Sequence, residues 1–186
     1  MDQRVARGEQ SKAEIKDAFL KLFKKKEPED ITVIDLCRKA GVNRSTFYAH
    51  YSNIDLLIQE IIRDNVAVVC KGYDTQWNLP LEDGGVERSQ VETYLTLFLA
   101  NPALQRFCTC SNNSYYRELI IRAQVEFSLG SENSPERYYR AYFQNAGVFN
   151  CVLEWLANGS PIPKEEIIEI IHDYSKAMYL TRINNC

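Results

Sequence analysis

Residues 32–51 read TVIDLCRKAGVNRSTFYAHY, and their spacing predicts two short helices joined by a tight turn. Thr32 can cap the first helix, and Asp35 three residues on completes a capping box, in which each side chain answers a backbone donor left open at the helix start. Val33, Leu36, Cys37 and Ala40 then share one helical face. Gly41 stands where a left-handed residue ends the helix. Asn43 can cap the second helix, and Val42 with Phe47 has the spacing of a hydrophobic staple that sets the angle between the two.

On a helical wheel Phe47 and Tyr51 point one way, while Arg44, Ser45, Tyr48 and Ala49 point the other. This is a helix-turn-helix arrangement, whose second helix lies in the major groove of duplex DNA with its first residues at base edges. Arg44 can give two parallel hydrogen bonds to guanine. Ser45 and Thr46 can serve bases or phosphate, and the Tyr48 hydroxyl and the His50 ring can grip backbone oxygens. Any compact helical domain can also contain a tight helix pair, so spacing alone leaves that reading open.

The pattern resembles the N-terminal domain of the tetracycline-repressor (TetR) family of bacterial transcription regulators. The pieces that carry the likeness are Thr32 leading a helix, Ala40-Gly41-Val42 at the turn, Thr46-Phe47-Tyr48 with Tyr51 after it, and Asp55-Leu56-Leu57 opening the next helix. It is close from about Ser11 to Leu57 and looser beyond. The resemblance implies an all-α fold: a three-helix DNA-binding head over residues 1–53 and a helical effector-binding and dimerisation body over 54–186. It implies a homodimer on a palindromic operator, a small-molecule effector in the body that changes the spacing of the two heads, and repression as the usual outcome. Many members place a lysine at the start of the following helix to hold a phosphate, where this chain has Ile54. Asn53, or the backbone N–H groups at that helix start, is expected to take that contact. The expected DNA-facing set is therefore Thr32, Arg44, Ser45, Thr46, Tyr48, His50 and Asn53.

Charge is distributed as such a protein needs. The chain has 186 residues, 45% of them hydrophobic, and a formal net charge of -3. Residues 1–52 hold 11 Lys and Arg against 8 Asp and Glu, and the remainder hold 11 against 17. The basic surplus sits with the reading helix, and the acidic part is the part DNA does not touch. No apolar run approaches the ~20 residues of a membrane span, and the N-terminus lacks the apolar centre of a signal peptide, so a cytoplasmic protein is expected.

Outward from the quoted stretch, Met1–Gln10 is expected to be a mobile arm, followed by a helix from Ser11 to about Lys26 with Ile15, Ala18, Phe19, Leu22 and Phe23 on one face. Lys12 near its start can reach phosphate. A longer helix is predicted from Asp55 to about Lys71, a loop from Tyr73 to Glu87, and helices over Arg88–Ala100, Pro102 toward Cys108, Tyr115–Leu129, Pro135 to about Asn158, and Lys164 to about Ile183. The last two carry more apolar face than one small body can cover, and part of it is expected to meet a second subunit. They are similar to the C-terminal helices that pair across a twofold axis in some TetR-type regulators. A dimer also suits the chemistry, since two heads read a palindrome with half-sites ~34–36 Å apart.

An enzyme needs convergent nucleophiles, acids or metal ligands, and this chain has two histidines, His50 and His172, and none of the usual phosphate-loop, zinc or serine-hydrolase signatures. No catalytic residue, cofactor or metal is expected. Cys108 and Cys110 form a Cys-x-Cys pair, which leaves a thiol-based sensor as an alternative. A helix-turn-helix protein that takes no effector and acts through partner proteins is another. If an effector pocket exists as the resemblance implies, Tyr94, Phe98, Phe107, Tyr115, Tyr116, Phe127 and Tyr142 are the candidates to line it, although aromatics at helical spacing are more often core.

Overall fold

The computed structural model describes residues 3–71, 87–130 and 134–183. Among them the chain is helical throughout, as expected: α1 (Gln3–Phe23), a 3-10 turn at Pro28–Asp30, α2 (Val33–Ala40), α3 (Arg44–His50), α4 (Ile54–Lys71), α5 (Arg88–Leu99), α6 (Pro102–Phe107), α7 (Asn113–Leu129), α8 (Pro135–Ala157) and α9 (Lys164–Ile183). Most of the loop expected over 73–87, with Trp77, and the C-terminal Cys186 lie outside the described residues.

The N-terminal arm is a correction, because α1 begins at Gln3 rather than Ser11. Residues 3–10 have no apolar stripe, which is why a reading based on periodicity passes over them. They contain helix formers, and local polar bonds hold the helix: Gln10 Nε2 donates to Glu14 Oε1 at 3.0 Å and Ser11 Oγ to the Gly8 carbonyl at 2.9 Å. At the other end α1 stops at Phe23 rather than Lys26. Glu27 precedes Pro28 and is extended, with φ -71° and ψ 152°, as a residue before proline prefers. The carbonyls freed by this early stop are taken from across the molecule: Arg106 donates through Nε to Phe23 O at 2.5 Å and through Nη2 to Lys26 O at 3.2 Å.

One cluster of buried residues runs from Ile15 to Ile171. Ile15, Phe19 and Phe23 of α1 meet Leu36 and Cys37 of α2 and Phe47 of α3 in this cluster, and Leu57, Ile58, Ile61 and Ile62 of α4 continue it. Helix α7 packs between α4 and α8, and α5 packs on α9. Phe107 of α6 joins the two ends, its ring 4.4 Å from Phe23 and 5.2 Å from Tyr116. Fully burying each such side chain contributes roughly 1.5–3 kcal/mol, so the reading helices are mounted on the same core as the rest of the chain. No described helix is long and apolar enough to cross a membrane.

Candidate nucleic-acid interface

Capping fixes where α2 and α3 begin. Thr32 Oγ1 accepts the Asp35 N–H at 3.1 Å and Asp35 Oδ2 accepts the Thr32 N–H at 3.4 Å, the reciprocal box that the sequence predicts. Lys26 Nζ sits 3.1 Å from the same carboxylate, and this contact, followed by the bonds from Thr32, holds Asp35 below the usual carboxylate range. Gly41 ends α2 at φ 72° and ψ 24°, a conformation that costs an L side chain about 1–2 kcal/mol. Two residues later the Asn43 side chain accepts the Thr46 N–H at 2.8 Å and starts α3.

That geometry sorts α3 into two faces. Phe47 is fully buried and Tyr51, just past the helix, nearly so. Arg44, Ser45, Tyr48 and Ala49 are exposed and Thr46 partly so, with Thr32 exposed at the start of α2. His50 is differently placed: its Nε2 lies 2.8 Å from Ser11 Oγ. The same Ser11 hydroxyl also lies 2.9 Å from the Gly8 carbonyl, and Nε2 is occupied by α1 rather than free for a phosphate. The pattern of apolar residues gave no sign of this contact, since it depends on the extra turns of α1.

Asn53 caps α4, its Oδ1 accepting the Leu56 N–H at 2.9 Å, which leaves its amide N–H group to donate. Lys12, read from sequence as a possible phosphate contact, pairs instead with Glu60 on α4 at 2.8 Å. Lys16 bridges Glu60 at 2.5 Å and Asp64 at 2.6 Å. These pairs brace α1 against α4 behind the reading helices.

The seven aromatic candidates of the body do not gather in one place. Tyr94, Phe98, Phe107 and Tyr116 are buried. The Tyr94 hydroxyl accepts from Gln124 Nε2 at 3.0 Å, and Phe98 stands edge-on to Phe149 with centroids 5.8 Å apart. Tyr115 is on the surface and donates to Asp55 at 2.8 Å; Tyr142 donates to Glu118 at 2.8 Å; Phe127 is half-buried. A separate apolar groove of about 290 Å³ lies between α8 and α9, lined by Phe143, Gly147, Val148, Cys151, Ile170 and Tyr174 among others and by none of the seven. Beside it Tyr139, Phe143 and Tyr174 are 71%, 66% and 74% exposed.

Cys108 and Cys110 are free and buried. Burial pushes the Cys108 thiol up to about 12 and raises Cys110 as well, which suppresses the thiolate that oxidation needs. Glu169, His172 and Asp173 bring possible ligand atoms within 4.8 Å of one another, but Glu169 is already paired with Arg88.

Residues 15–61 match the family model of bacterial regulatory proteins of the tetR family. An HTH-type transcriptional regulator of Bacillus subtilis, YxbF, itself described as uncharacterized, is 36% identical over 70 residues, 37% of this chain. That match spans only 18% of the relative's own length. Among solved structures, a TetR transcriptional regulator from Streptococcus agalactiae aligns with a TM-score of 0.59 and 20% identity, covering 95% of this chain and 97% of that one. Another from Rhodococcus sp. RHA1 aligns at 0.55 and 16%, covering 92% and 97%. At these identities the structural likeness is one of fold, and it extends over nearly the whole chain. The matched segment, residues 15–61, holds the capped helix pair and is the DNA-binding helix-turn-helix domain of the tetR family, and the chain as a whole shares its fold with TetR transcription regulators.

Proposed function

We propose that this protein is a repressor that binds a palindromic operator as a homodimer and releases it when a small molecule occupies the body. The observation that carries the reading is the two-faced α3, with Phe47 sunk in the core and Arg44, Ser45 and Tyr48 exposed on the outside. In the complex Arg44 reads guanine, Ser45 and Thr46 face base edges, and Thr32, Tyr48, Asn53 and the remaining ring nitrogen of His50 serve the phosphates.

The head comprises residues 1–53 and the body 54–186. Dimerisation uses the uncovered apolar faces of α8 and α9, where the groove and the exposed Tyr139, Phe143 and Tyr174 lie together. The effector is assigned to the body, with Tyr94, Phe98, Phe107, Tyr115, Tyr116, Phe127 and Tyr142 as the candidate contacts. Its influence would pass through the corner between α6 and α7, which grips the α1–α2 loop: Arg106 Nη2 donates to Glu27 Oε1 at 3.1 Å and the Ser111 N–H to Glu27 Oε2 at 2.9 Å. An effector shifts DNA binding only by its differential affinity for the two head spacings.

The test is selection of the full-length chain on randomised duplex DNA together with its mass by sedimentation. A twofold-symmetric motif and a dimer are expected; a monomer that enriches no sequence overturns the reading. The tight packing of Tyr94, Phe98 and Phe107 favours a second reading, in which the body takes no effector and acts through partner proteins. A screen of small apolar and aromatic compounds for both thermal stabilisation and operator release separates the two.

A further inference from the structure

Three donors converge on one acceptor beside α3. Asn43 Oδ1 accepts the Thr46 backbone N–H at 2.8 Å, the Thr46 hydroxyl at 2.8 Å and the Ser45 hydroxyl at 2.6 Å. A backbone N–H can only donate, so the amide must present its oxygen there; an amide oxygen can only accept, so both hydroxyl protons point at it. Each hydroxyl has one proton and two lone pairs. With its proton committed, the exposed Ser45 turns lone pairs outward. Thr32 is the opposite case, since its Oγ1 accepts the Asp35 N–H and keeps a proton to give to a phosphate.

We propose that Asn43, besides capping α3, makes Ser45 a hydrogen-bond acceptor in the major groove, so that Ser45 selects a base with an exocyclic amino group, adenine or cytosine, on the strand it faces. This rests on the reading that the outer face of α3 enters the groove. There adenine N6 and cytosine N4 donate, whereas guanine O6, thymine O4 and the purine N7 atoms accept. Phosphate oxygens also only accept, so a Ser45 oxygen in this state is matched to an amino group and to neither alternative. Turning the proton toward a keto base requires giving up the bond to Asn43, which sets a preference of about fivefold.

The proposal is tested by selecting randomised duplex DNA with the full-length chain and with Ser45→Ala and Asn43→Gly. Glycine is an acceptable cap but cannot hold the Ser45 proton. At one position of each half-site the wild type is expected to enrich A or C over G or T by about fivefold, Ser45→Ala to level that position, and Asn43→Gly to level the same one. The guanine position read by Arg44 stays in all three. A Ser45-dependent position that sorts the bases in any way other than A or C against G or T on one strand, a Ser45→Ala profile identical to wild type, or a preference that survives Asn43→Gly overturns the proposal. A wild-type chain that enriches nothing overturns instead the DNA reading beneath it.

Discussion

Arg44 and Tyr48 are both exposed on α3, yet their chemistry separates them. A guanidinium can pair with two acceptors on one guanine, whereas a phenol hydroxyl meets one phosphate oxygen wherever the backbone passes. Arg44→Ala is expected to lower affinity for the selected operator by about 1–3 kcal/mol and to relax the preference at one base position. Tyr48→Phe should weaken selected and random duplexes alike, and titrations of both DNAs by fluorescence anisotropy show which pattern holds. Glu27 supplies a different residue-scale test. The Ser111 backbone N–H, and then Arg106, hold its carboxyl below the usual carboxylate range. A depressed folded-state value means that its contribution is present above the ordinary carboxylate pKa and disappears as pH falls through the lowered one. Melting temperature should therefore fall on acidification below about pH 4, and Glu27→Gln should be less stable at neutral pH with a shallower fall.

Between elements, the tight turn and the α6 joint are the exposed points. Nothing lies within 4 Å of a methyl group added at Gly41, so space is no obstacle there, but its φ is 72°. Gly41→Ala should cost about 1–2 kcal/mol in urea unfolding purely through backbone conformation. Phe107 is buried among Phe19, Phe23 and Tyr116. Phe107→Ala should cost about 3–5 kcal/mol, and hydrogen exchange should show the loss of protection in α1 as well as in α6 and α7, because the ring belongs to both ends of the core. If protection falls in α6 and α7 alone, the two ends are not joined as described.

For the whole molecule, the decisive surface is the one left open. Phe143 stands in the α8–α9 groove and is itself mostly exposed, so Phe143→Glu removes little from the folded monomer and places a charge where the second copy would sit. Sedimentation should show a monomer, and affinity for a two-half-site operator should drop by about 100-fold or more as the second head ceases to bind as part of one molecule. An unchanged mass would move the interface elsewhere.

The residues alone determined the two capped helices, the left-handed glycine, the all-helical class and the apolar faces of α4, α8 and α9, because capping and periodicity are local and each signal lies within a few residues of the structure it makes. What only the tertiary structure decided depends on partners far apart in the chain. His50 is tied to Ser11, Lys12 to Glu60, and the end of α1 to Arg106. The first turns of α1 escaped a reading by periodicity because they carry no apolar stripe. The body's aromatics could be counted from sequence, but whether each one packs, caps or faces water depends on which helix lies opposite it, and a single helix's spacing does not contain that.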